Sequence, residues 1–108
     1  MSAVPATPQS YPWPADLMAF AIQRKVDGYL EPHLDLTRRL FPTATSLRVL
    51  LERDPEIPDC WYIVFEVDVP KRDVPDHLAA DRRWNEAARR IYPATPVCSF
   101  VLTLVRCL

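Results

Sequence analysis

Twelve prolines against a single glycine set the outline of what this 108-residue chain can become. Each proline fixes φ, lacks an amide proton and pushes the residue before it out of helix. Regular elements must therefore fit between prolines. Pro5, Pro8 and Pro12 leave little room for one, so residues 1–13 read as a flexible arm. Tyr11 and Trp13 stand out in that arm as side chains able to latch its end onto a domain over 14–108. The length suits one such domain.

Between Pro14 and Pro42 the spacing predicts two helices. Pro14 suits a first helical turn, and Asp16 suits its positive end. Leu17, Met18, Phe20, Ala21, Ile22, Val26, Tyr29 and Leu30 then form an apolar stripe. Asp27-Gly28 ends this helix, or it runs on and Pro32 kinks it. A second helical stretch covers 31–41, with Leu34, Leu40 and Phe41 apolar and Arg38-Arg39 near the negative end.

Three segments alternate with period two. Over 46–53, Leu47, Val49 and Leu51 oppose Arg48, Leu50 and Glu52. Over 60–69, Trp61, Ile63, Phe65, Val67 and Val69 oppose Tyr62, Val64, Glu66 and Asp68. The polar stretch 54–59 joins these two strands as an open hairpin. The third strand, 97–106, is apolar on both faces: Phe100, Leu102 and Leu104 on one, Val101, Thr103 and Val105 on the other. A helix lies before it. Asp73 is its expected N-cap, and Val74, His77, Leu78, Trp84, Ala87, Ala88 and Ile91 its inner stripe. Trp61 and Trp84 are both assigned to the core.

The order helix-helix-strand-strand-helix-strand implies an α+β fold. The expected form is a small two-layer sandwich, a three-stranded mixed sheet with helices packed on one face. A crossover through the last helix makes the second and third strands parallel. The third could lie beside the first strand or beside the second. Two sheet edges remain, and edges invite pairing. A second subunit could cover the two-faced apolar strand, or the strand could be central in a monomer.

Composition narrows the function classes. With Gly28 alone, the chain holds no Walker A loop, dinucleotide fingerprint or G-x-S-x-G elbow. Thirteen basic and fourteen acidic residues leave a net charge of -1, which supplies no overall attraction to nucleic acid or an anionic membrane. No apolar run has the length of a membrane span. Cys60, Cys98 and Cys107 are odd in number, without C-x-x-C spacing or a secretory leader, and point to the reducing cytoplasm. Scattered Cys and His residues offer no zinc pattern, and the sequence calls for no cofactor or metal.

Several groupings could carry chemistry. Glu66 and Asp68 share one face of the second strand and could divide acid and base roles or hold Mg²⁺. His77 lies four residues from both Asp73 and Asp81, a spacing that lets a carboxylate orient an imidazole. These residues define an enzyme alternative, a small metal-dependent hydrolase using Glu66, Asp68, Asp73 and His77. The plainer reading is a solvated sheet face and a satisfied helical histidine. Arg38-Arg39, Arg82-Arg83 and Arg89-Arg90 could bind RNA or a nucleotide, but interleaved carboxylates weaken their field. The three cysteines lack an activating neighbour in sequence and read as packing residues or an exposed thiol.

The leading expectation is a small intracellular protein–protein interaction module, acting as a homodimer or as the partner of another protein. Its contact residues would be Arg48, Tyr62, Val64, Val101, Thr103 and Val105.

Overall fold

A computed structural model of the chain describes residues 11–91 and 100–107. The elements are α1 (Ala15–Gln23), α2 (Leu30–Leu40), β1 (Ser46–Arg53), β2 (Trp61–Pro70), α3 (His77–Ile91) and β3 (Phe100–Cys107), with single 3₁₀ turns at Asp27–Tyr29 and Lys71–Asp73. This is the expected α+β architecture and element order. Positions 97–99 of the expected third strand, and the Cys98 assignment, lie outside the described residues.

The sheet order is β1-β2-β3. β2 pairs antiparallel with β1, Val49 opposite Phe65. It pairs parallel with β3, Phe65 opposite Leu102. β3 is therefore an edge strand beside β2. The inner face brings Leu47, Val49 and Leu51 together with Ile63, Phe65 and Val67 and with Phe100, Leu102 and Leu104. Leu17, Ala21, Leu30, Leu34 and Trp84 close over it from the helices, all at or near zero exposure. Burying such side chains is the main favourable term in folding, roughly 1.5–3 kcal/mol for each large aliphatic.

Tyr11 and Trp13 do latch onto the domain. The amide of Val49 donates to the Tyr11 hydroxyl at 2.9 Å, and the Trp13 indole donates to Glu31 at 3.0 Å. The two rings meet edge to face at 4.9 Å. Part of the outer edge of β1 is thereby closed by residue 11.

α1 ends before Asp27-Gly28. Lys25 takes a left-handed φ of 62°. Its amide bonds to Ile22, and the next amide, Val26, reaches Ala21 at 2.8 Å. These two bonds form a Schellman cap with lysine where glycine is usual. The predicted single stripe is thus split: Val26 is buried beyond the helix end, and Ile22 is 56% exposed. Pro32 sits in the first turn of α2, where its missing amide costs nothing, so no kink forms. Gly28 has a negative φ, with open space around a would-be Cβ. Lys25→Gly should therefore stabilise the domain by about 0.5–1 kcal/mol, by relieving the left-handed strain. Urea unfolding is the check; no gain would mean that lysine is unstrained there.

The start of α3 also differs from expectation. Val74, held before Pro75, has φ -134° and ψ 72°, which is not helical. Asp76 caps the helix instead, accepting the Ala79 amide at 3.0 Å. Asp73 lies in the preceding 3₁₀ turn. His77 and Leu78 are exposed, Leu78 to 70%. The buried stripe is Ala80, Trp84 and Ala88. Trp61 is only partly buried and stands outside the core, because it pairs with Arg53 beside the hairpin loop, at the end of the strand pair. Trp84 is in the core as expected.

Candidate functional site

Antiparallel and parallel register together build the outer face of the sheet in rows. Glu52 stands beside Tyr62. Leu50, Val64 and Val101 form an apolar row; Arg48, Glu66 and Thr103 form a polar one; Ser46, Asp68 and Val105 form the next. Helices α1, α2 and α3 put their buried side chains on the other face. Arg48, Glu52, Thr103 and Val105 are exposed, Val105 to 38%. Val64 is buried among its neighbours although it lies on this face.

Arg48 and Glu66 form an ion pair across the strands. With the arginine side chain 55% exposed, such a pair contributes up to about 1 kcal/mol and less in salt. The Tyr62 hydroxyl bonds to the carboxylate of Asp54. The same carboxylate accepts the amides of Glu56 at 2.8 Å and Ile57 at 3.0 Å. Tyr62 holds the Asp54 pKa below the usual carboxylate range, with the two amides adding to the effect. In return the carboxylate raises the phenol above its ordinary value. Asp54 thus pins both the hairpin loop and the Tyr62 ring. The sequence reading missed it because the bond runs from loop to strand.

The other candidate groups are dispersed. Glu66 and Asp68 lie on the outer face, Asp73 in the turn after β2, and His77 at the exposed start of α3. Among the described residues no group of three His, Cys, Asp or Glu side chains could hold a metal ion. Asp73 lines a groove of about 420 Å³ between α2 and α3, with Leu40, Phe41, Arg82, Arg83 and Glu86. Its charges are mixed. Among the described residues, Oδ1 of Asp68 is shielded from solvent without a hydrogen-bond partner. Asp81 turns to Asn85 rather than to His77, accepting from its amide at 3.2 Å. No family model matches this chain, and neither a curated protein nor a solved structure shows significant similarity to it.

The imidazole that does sit in a built environment is His33, to which the sequence reading gave no role. It is 1% exposed. Its Nδ1 donates to the Tyr29 carbonyl at 2.7 Å, and its ring stacks on Phe100 at 4.0 Å between centroids. Burial lowers its pKa below the ordinary histidine value, against a smaller opposite effect of the Tyr29 bond. Below it, Thr37 donates to the His33 carbonyl at 2.7 Å and accepts the Trp84 indole at 2.9 Å. The spacing of Leu30, His33, Leu34, Thr37 and Phe41 was the available signal, because it places all five on one helix face. This cluster is enclosed by apolar rings and joins α2, α3 and β3.

Proposed function

We propose that this chain is a small intracellular protein-interaction module, acting as a homodimer or as a subunit of a partner's complex. Contact is made through the outer sheet face and the edge of β3, using Arg48, Tyr62, Val64, Val101, Thr103 and Val105. The observation that carries this reading is the contrast between the two sides of the sheet. One is sealed by helices; the other presents an apolar row and an exposed Val105 beside an edge strand that is apolar on both faces. Rigid sheet edges bind extended segments through main-chain hydrogen bonds, with side chains setting specificity. The Tyr62 ring, fixed by Asp54, adds an ordered aromatic with a polar tip, a residue type favoured at interfaces.

The test is native mass spectrometry of protein purified gently from its own host, with the Tyr62→Asp and Val101→Asp variants alongside. The wild type is expected in a defined complex. Both variants should lose it while keeping the wild-type circular dichroism. A monomer carrying extra mass from a metal or small molecule would overturn the reading in favour of the enzyme alternative. Unfolding of both variants would show that the face is core.

A further inference from the structure

We propose that the partner is a second copy of this chain, joined by antiparallel pairing of the two β3 strands about a two-fold axis at Thr103. This rests on the interaction reading above and names its partner and register.

The edge strand is symmetric in sequence. Residues 101–105, Val-Leu-Thr-Leu-Val, read the same in both directions. Antiparallel pairing about Thr103 therefore sets like against like. Thr103 meets Thr103 of the partner subunit, Leu102 meets Leu104 of the partner subunit, and Val101 meets Val105 of the partner subunit. A two-fold interface requires this kind of self-complementarity. Thr–Thr and paired β-branched side chains are favourable cross-strand neighbours. No charge falls within the five residues, so no like-charge contact opposes the pairing.

Hydrogen-bond direction selects the same register. The Val49 amide points away from β2, because it donates to Tyr11. Direction alternates along a strand, so Arg48 and Leu50 bond toward β2; the Asp54 amide, in the same phase, reaches the Cys60 carbonyl at 2.7 Å. Their partners Glu66 and Val64 bond back toward β1. Phe65 and Val67 then turn toward β3 and bond to the residues flanking their own partners, Leu102 and Leu104. Val101, Thr103 and Val105 thus face β2. Leu102 and Leu104 present their N–H and C=O groups to the outer edge. In the palindromic register Leu102 and Leu104 of the partner subunit form a hydrogen-bonded pair, and the two threonines form the closer non-bonded pair at the axis. Symmetry and bonding phase select the same register.

The two edges of the sheet differ. β1 has one edge amide taken by Tyr11 and exposed Arg48 and Glu52 beside it. Over Phe100–Val105, β3 has neither proline nor charge, the usual guards of an edge. Pairing would give a six-stranded sheet from two three-stranded ones. Its two inner faces would be joined through the Leu102–Leu104 contacts.

The test uses Thr103→Cys in a full-length background with Cys60, Cys98 and Cys107 replaced by serine, under mild oxidation. A disulfide-linked species of twice the 12.5 kDa chain mass is expected. Val101→Cys alone should give none, and the Val101→Cys/Val105→Cys double variant should restore it. On the unsubstituted protein, NMR hydrogen exchange provides a second readout that needs no variant to fold. On raising protein concentration, the Leu102 and Leu104 amides should pass from fast to slow exchange, while those of Val101, Thr103 and Val105 stay slow throughout. A dimer that cross-links equally at position 101 overturns the β3 register and leaves the interaction reading standing. A monomer that binds a different chain, with that complex lost on Val101→Asp, overturns the second-copy assignment alone. So does an edge occupied by residues 1–10 of its own chain, which would slow Leu102 and Leu104 at every concentration. A monomer without any partner overturns both.

Discussion

Replacing Trp84 with alanine is expected to cost the domain a large part of its stability. Its indole is fully buried, 5.9 Å from the Phe65 ring and 6.0 Å from His33. Emptying such a site costs about 3–5 kcal/mol, the lost transfer energy plus the cavity left behind. A domain this small has roughly 5–15 kcal/mol of stability in all. The indole also donates to Thr37, whose hydroxyl passes a hydrogen bond on to the His33 carbonyl. Thr37→Val keeps the shape but strands the indole N–H in an apolar core, at about 1–3 kcal/mol. The two variants should therefore rank Trp84→Ala well below Thr37→Val, and both below the wild type, in urea midpoint. If Trp84→Ala cost less than Thr37→Val, the ring would not be the keystone between α2, α3 and β3.

The second large effect is acid sensitivity centred on His33. Burial lowers its folded-state value below the ordinary 6.5 of an exposed histidine. The unfolded chain therefore takes up the proton first as pH falls. Stability is full above the unfolded value and declines below it, down to the folded value. Over that window the slope approaches about 1.4 kcal/mol per pH unit, the limit for one proton. Thermal midpoints should be flat above about pH 6.5 and fall below it. His33→Gln should flatten that limb, whatever it does to the absolute midpoint. A limb of the same slope in His33→Gln would assign it to other groups.

Most of the fold was legible because its signals are local. Alternation over 46–53 and 60–69 assigned both faces of β1 and β2 correctly, since period two follows from the pleat alone. Prolines marked nearly every boundary. The failures lie where two local signals compete. At Asp73 a good capping residue lost to the restriction that Pro75 imposes on Val74, and the helix began at His77 with Asp76 as its cap. At Lys25 the helix ended in a left-handed residue that is not glycine, three positions before the glycine that looked like its stop.

The candidate site was half legible. Arg48, Tyr62, Val64, Val101, Thr103 and Val105 do share one face, and Arg48 does pair with Glu66. Of the acid and imidazole groups of the enzyme alternative, Glu66 and Asp68 share the outer face as their spacing implies, while Asp73 lies in the turn after β2 and His77 at the exposed start of α3. His33 was passed over because a histidine and a threonine interrupt the look of an apolar stripe. Buried polar groups are tolerated once each has a partner, and those partners come from Tyr29 and Trp84, one local and one distant.

By itself the sequence determined the element types, the inward and outward faces of each strand and the absence of phosphate-binding loops, because these depend on residue chemistry within a few positions. The tertiary structure alone decided that β2 is central, that β3 holds an edge, that Tyr11 closes part of the opposite one and that His33 rather than His77 is buried. Those outcomes depend on contacts between residues far apart in the chain, where the energy of packing one element against another exceeds the small local preferences that a sequence displays.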